Sequence, residues 1–202
     1  MISPTSVARR VAALGALVLA LPLGAVVVAP PAHATNFGSI CDTGSTTACV
    51  SVANNIYHVI NWIGDEDING MQSSHGWARD NQYNPTDLVA YTDGSDSYPD
   101  VLVQDEPYGV NGWYARVDCP TNNTGTGGSH PNRWCRGQTL KYNASYATYF
   151  SAEANRRATA CHEIGHTVGL RHATDTTSCM NNVGSYPETL NAHDRAHING
   201  HY

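Results

Sequence analysis

The run Cys161-His162-Glu163-Ile164-Gly165-His166-Thr167-Val168-Gly169-Leu170-Arg171-His172 carries the pattern H-E-x-x-H-x-x-G-x-x-H, and no other feature of the chain restricts its fold as much. On an α-helix, residues four apart lie about 40° apart around the axis, so His162 and His166 present two imidazoles from adjacent turns to one ion. Glu163 stands about 100° from His162, so its carboxylate flanks such an ion without being forced to coordinate it. Gly169 can take a positive φ at no side-chain cost, which lets the helix stop and the chain turn back to bring His172 as a third nitrogen. Three imidazoles leaving a fourth position open are the donor set of a catalytic Zn²⁺ site. With five fixed positions at about one-in-twenty odds each, a chance match in a chain of this length has odds on the order of one in ten thousand. His162, His166 and His172 are therefore the candidate metal ligands, and Glu163 is the candidate catalytic base.

The motif demands a helix, and the surrounding sequence supplies one. Ala152 to Leu170 has no proline, a glutamate in its first turn, and apolar Ala154, Ala158, Cys161 and Val168 near one face. Before it, Asp87–Tyr91, Val101–Gln104, Trp113–Val117 and Thr139–Asn143 read as short strands separated by Gly, Pro, Asp and Asn clusters. Val50–Ile63 fits a strand or a helix, and Met71–Gln82 fits a polar helix. Ser185-Tyr186-Pro187-Glu188 matches an S-x-x-E capping box and predicts a last helix running towards Gly200. Strands early and helices late indicate an α+β fold.

The chain has 202 residues, room for one ordinary domain, and a formal charge of -6 with Lys141 as its sole lysine. It offers no basic patch for nucleic acid or anionic lipid. Arg9-Arg10, the apolar run Val11 to Val28 and Ala32-His33-Ala34 form the three regions of a signal peptide. A transmembrane anchor is the alternative, disfavoured by Pro22, Gly24 and the A-x-A ending. Residues 1–34 are accordingly expected to be removed and 35–202 to form a secreted, monomeric, extracellular catalytic domain with no membrane contact after cleavage. All six cysteines lie in that part, and an even count outside the cell implies disulfides. Neighbour pairing is the default of 15 connectivities: Cys41–Cys49, Cys119–Cys135 and Cys161–Cys179.

The motif, with Ser178-Cys179-Met180 following it, resembles the metzincin metallopeptidases, in which a Met-turn places a methionine beneath the metal. Matrixins are a fair comparison, and secreted bacterial snapalysins are similar in compactness and in a cysteine directly before the first histidine. Snapalysins place Asp where this chain has His172, and Asp175 lies three residues too late for that role. The resemblance implies a small mixed twisted sheet packed on the active-site helix and a C-terminal helix after the Met-turn, with Met180 as the turn methionine. It implies a zinc endopeptidase acting on protein or peptide substrates. In it Zn²⁺ lowers the pKa of its water to about 7 and polarises the scissile carbonyl, and Glu163 moves the proton to the leaving amine. It makes Gly112–Arg116 the candidate edge for the substrate strand, an internal strand being the alternative, and Asn181–Pro187 the wall of the pocket for the residue after the cut. Asn182 stands two residues after the methionine, where astacins and serralysins have Tyr, and Tyr186 is the substitute candidate. No cysteine-bearing inhibitory segment lies between Ala34 and the first strands, so constitutive activity is expected. Two rival readings are a secreted binding module with a structural zinc and a zinc amidase of non-peptide substrates.

Two further clusters compete for attention. Asp65-Glu66-Asp67-Ile68-Asn69-Gly70 opens like a calcium loop, but Gly76 stands where an EF-hand needs Glu. The favoured reading is an exposed acidic turn with Asn69-Gly70 at its tip, with Ca²⁺ at a simpler loop as the second cofactor candidate. His193, His197 and His201 recur every four residues, and a solvated helix face is favoured over a second metal site. Asn122-Asn123-Thr124 and Asn143-Ala144-Ser145 are sequons.

Overall fold

Alternation of buried and half-buried residues along Val101–Glu106 and Gln138–Asn143 builds the two central strands of the domain, β3 and β5. The computed structural model describes residues 53, 55–64, 67–118, 137–182 and 187–202. Cys41–Cys49, Cys119–Cys135, Asp65, Glu66, the first sequon and the expected signal segment 1–34 lie outside the described residues.

The sheet has five strands in the order β2-β1-β3-β5-β4, with β1 at Tyr57–Trp62, β2 at Val89–Tyr91 and β4 at Ala115–Asp118. β1, β2, β3 and β5 are mutually parallel, while β4 runs antiparallel to β5 with Arg116 opposite Lys141. The sheet is therefore mixed and the fold α+β, as expected. The apolar stretch 50–63, open between strand and helix, resolves as β1. Its inner residue Ile60 joins Val101, Val103, Leu140 and Tyr142 in the core.

Helix α1, Met71–Ala78, continues into a π-helical segment, Arg79–Tyr83, so the expected helix over 71–82 is present with a widened last turn. Its entry is the tight turn at Asn69 and Gly70, both with positive φ, and the Asp67 side chain accepts from the Gln72 amide. That is the expected turn tip. The long helix α2 spans Glu153–Thr167 and is buried without interruption from Ala158 onward.

The last helix differs from expectation. It is α3, Ala192–His201, and its capping box is Asn191 with Asp194, each side chain bonded to the other's backbone amide. Glu188 precedes the Asn191 cap by three residues and reaches instead towards Arg157. Residues 187–190 are not helical, so the described helix begins after the Ser185–Glu188 pattern rather than from it, Ser185 and Tyr186 lying outside the described residues. An S-x-x-E string is a local signature, and Asn191 competes for the same role with Asp194 buried behind it. Among the described residues, no helix is long and apolar enough to cross a membrane.

Candidate metal centre

The C-terminal end of α2 sets the geometry of the site. The Gly169 amide donates to the His166 carbonyl and the Leu170 amide to the Gly165 carbonyl, with Gly169 at φ 99°. This is the paired-bond ending that a left-handed residue after a helix makes possible. It swings His172 back over the helix.

The three imidazoles meet there. His162 Nε2 lies 3.1 Å from His166 Nε2 and 3.1 Å from His172 Nε2, near the roughly 3.3 Å between nitrogens held at about 2.0–2.1 Å on a tetrahedral ion. His162 Nδ1 donates to the Cys179 carbonyl at 2.7 Å and His166 Nδ1 donates to the Leu170 carbonyl at 2.8 Å. With their protons committed to carbonyls, the two neutral rings face each other with Nε2 lone pairs. Two lone pairs at 3.1 Å repel unless a cation lies between them, so the contact is a ligand arrangement rather than a hydrogen bond. Burial, and next the His172 charge, holds His166 down to about 4, against the opposing pull of the Leu170 carbonyl. The ring therefore stays neutral and able to ligate at ordinary pH. Among the described residues, this trio is the one group of three or more His, Cys, Asp or Glu side chains that could hold a metal ion. The donor set fits zinc.

Glu163 occupies the flanking position. It is 6% exposed, and its Oε2 is buried without a hydrogen-bond partner. Burial, and next the negative charge of Asp118, pushes its carboxyl up to about 8. A buried carboxyl with no structural hydrogen bond at Oε2 is a candidate acid–base group.

Beneath the helix, the turn Ser178–Asn181 closes through the Asn181 amide and the Ser178 carbonyl, and the Ala173 amide donates to the Met180 carbonyl. Met180 is fully buried, with its sulfur against Gly165, the residue between the two helical ligands. The Met-turn expectation is met. Ser178 donates to buried Asp194 of α3, and the Met180 amide donates to the Ser178 hydroxyl at 2.9 Å. The disulfide Cys161–Cys179 joins α2 to this turn, as neighbour pairing predicts.

Among the described residues β4 ends the strand order, with β5 on one flank and no strand on the other, and it packs on α2. Of the candidate edge Gly112–Arg116, only Ala115 and Arg116 belong to the strand, and Trp113 and Tyr114 lead into it; among the described residues it is an edge. Tyr114 stacks on Tyr149 at a centroid distance of 3.9 Å. Of the pocket wall expected over 181–187, Asn181, Asn182 and Pro187 are described, and Tyr186 lies outside the described residues. His193 and His197 have neighbouring rings at 4.7 Å while His201 packs on Tyr202, so the three do not converge on one ion.

Several residues at the centre carry no sequence motif. The Cys179 and Leu170 carbonyls are backbone groups, invisible to any residue pattern. Tyr83, whose hydroxyl donates to the Cys161 carbonyl, comes from a distant helix. Gly165 alone leaves a trace, since glycine inside a helix costs about 1 kcal/mol against alanine and so implies a close approach.

No curated protein sequence matches the chain. Among solved structures, "Structure of myroilysin" superposes with a TM-score of 0.49 at 14% identity, covering 74% of this chain and 93% of that one. The family profile described as matrixin matches residues 62–202, which include the last residue of β1, the other four strands and all of the histidine motif. With well over half of its length matched, the chain belongs to the matrixin family and is a zinc metalloendopeptidase.

Proposed function

We propose that the protein is exported by removal of residues 1–34 and that residues 35–202 cleave internal peptide bonds, with His162, His166 and His172 holding Zn²⁺ and Glu163 moving the proton. The observation that carries this reading is the convergence of three Nε2 atoms within 4.8 Å of one another beside a buried carboxylate oxygen that has no partner. When bound, the metal supplies Lewis acidity to the scissile carbonyl and to a water. Burial keeps the Glu163 carboxyl at about 8, and a divalent cation on the three histidines would draw it towards the carboxylate form. Glu163 Oε2 takes the proton of the attacking water and delivers it to the leaving amine nitrogen, a role that needs a base close by but not coordinated. The Cys179 and Leu170 carbonyls fix the orientation of the His162 and His166 rings, which raises their strength as ligands. The edge of β4 beside α2 offers backbone amides and carbonyls to an extended substrate.

The test is mass-spectrometric detection of products when the zinc-loaded protein meets a diverse peptide library, with Glu163→Gln as the control. Cleavage at internal bonds by the native protein alone supports the proposal. A folded, zinc-containing protein that leaves every peptide intact refutes it in favour of an amidase or a binding module.

A further inference from the structure

The disulfide bonds the residue before the first metal-ligand candidate to the residue whose carbonyl orients that ligand. Cys161 directly precedes His162, and Cys179 supplies the oxygen that His162 Nδ1 meets at 2.7 Å. The two Cα atoms stand 6.0 Å apart, and both side chains are fully buried. His162 is also the hub of the trio, since its Nε2 makes both 3.1 Å approaches. One covalent bond therefore holds the hub's proton donor and its acceptor in register, across a sequence separation of 18.

We propose that the Cys161–Cys179 disulfide is a positioning clamp for the metal centre, so that metal affinity depends on its oxidation state. This inference rests on the reading of the three histidines as metal ligands. The clamp acts through His162. Freed from it, the carbonyl of Cys179 drifts from Nδ1, the ring turns more freely, and the ordering of His162 must be met from the metal-binding energy. Losing such an outer hydrogen-bond partner weakens metal binding by about 10–100-fold. Reduction by an external dithiol breaks the Sγ–Sγ bond, places one hydrogen on each sulfur, and oxidises the dithiol to its own disulfide. By linkage, a metal that prefers the oxidised protein makes the disulfide harder to reduce by the same factor.

The remaining contacts argue that the segment stays folded without the bond. The Cys179 amide donates to the Thr189 carbonyl at 2.9 Å, the Ala173 amide to the Met180 carbonyl at 2.8 Å, and Ser178 to Asp194. These hold the turn to the loops and to α3, while the disulfide ties it to α2.

The experiment compares Zn²⁺ affinity, by competition with a chromophoric chelator, for the full chain with and without Cys161→Ala/Cys179→Ala. Both carry Glu163→Gln to prevent self-digestion, and both are held at a temperature where circular dichroism shows them folded. The expected result is binding weaker by about 10–100-fold in the double variant. Affinity within twofold of the parent overturns the clamp even if the melting temperature falls, because a purely structural crosslink would do that. Should the double variant not fold, the parent is equilibrated in thioredoxin redox buffers with and without Zn²⁺, and the free thiols are counted by alkylation. The clamp requires a more negative midpoint with metal, by about 30 mV for each tenfold in affinity, and coincident midpoints overturn it. A parent that takes up no Zn²⁺ refutes both the clamp and the metallopeptidase mechanism, whereas equally tight binding in both proteins refutes the clamp alone.

Discussion

The sulfur of Met180 fills the space that a side chain at Gly165 would need: a β-carbon there would stand 2.3 Å from Sδ and 2.9 Å from the Tyr83 hydroxyl oxygen. Neither neighbour can yield freely, since both residues are fully buried and Tyr83 is bonded to the Cys161 carbonyl. Gly165→Ala gains about 1 kcal/mol of helix propensity and loses about 1–3 kcal/mol to overpacking. The expected outcome is a net loss, read as a melting temperature lower by about 2–4 °C per kcal/mol. A rise in melting temperature would show that the Met-turn yields.

The three histidines are not equivalent in burial, and their substitutions should differ accordingly. His162 and His166 are 8% and 7% exposed, whereas His172 is exposed on the returning loop. His172→Ala should leave the metal-free protein as stable as the parent, within about 0.5 kcal/mol as for surface changes. It should weaken Zn²⁺ binding by more than the roughly 10–100-fold lost with an outer hydrogen-bond partner. Chelator competition and urea unfolding of the apoprotein, run side by side, check both halves.

Acid should unfold the protein partly through His58. Its Nε2 donates to Thr167 Oγ1 at 2.9 Å, that hydroxyl donates to the Ile164 carbonyl, and Asp100 stands 3.8 Å from Nδ1. Burial prevails over the nearby carboxylate and holds the ring down from 6.5 to about 4. Above pH 6.5 both folded and unfolded chains carry it neutral. Between 6.5 and 4 only the unfolded chain takes up the proton, so stability falls as pH drops, by on the order of 3 kcal/mol in total. Burial, and next Arg79, lowers His75 to about 3, which adds a parallel loss. Urea unfolding of the metal-free protein at stepped pH should show this slope, reduced by about 1.4 kcal/mol per pH unit in His58→Gln. An unchanged slope would mean that His58 is protonated in the folded state.

Asn191 begins α3 and also reaches Asp175 with its side-chain amide at 3.0 Å. Asn191→Ala should cost about 0.5–2 kcal/mol, the usual loss of an N-cap. Because Asp194 of the same box accepts from Ser178 in the Met-turn, hydrogen exchange should quicken at the Met180 amide as well as in the first turn of α3. Exchange confined to α3 would show that the turn is held without the cap.

The parts of the centre legible in the sequence are those carried by side chains at short spacing. His162, Glu163 and His166 are placed by helix periodicity alone, and Gly169 ends the helix where its backbone freedom allows. The order of strands and helices follows from alternation and punctuation, although the boundaries move by a few residues because hydrogen-bonding partners decide where a strand ends. The last helix is present as expected and only its start differs: Ser185–Glu188 and Asn191–Asp194 are both acceptable caps as sequence patterns, and the bond from Ser178 to buried Asp194 favours the second.

By itself the amino-acid sequence determined the donor set, the metal class it suits and the α+β character, because these depend on residue identity and on periods of two and 3.6 residues. Tertiary structure alone decided that β4 ends the described sheet, that Cys179 and Leu170 lend their carbonyls, and that Met180 fits beside Gly165. Each of these joins groups on different elements. Which backbone carbonyl meets which imidazole is set by how those elements pack, and a backbone carbonyl is the same chemical group at every position in the chain.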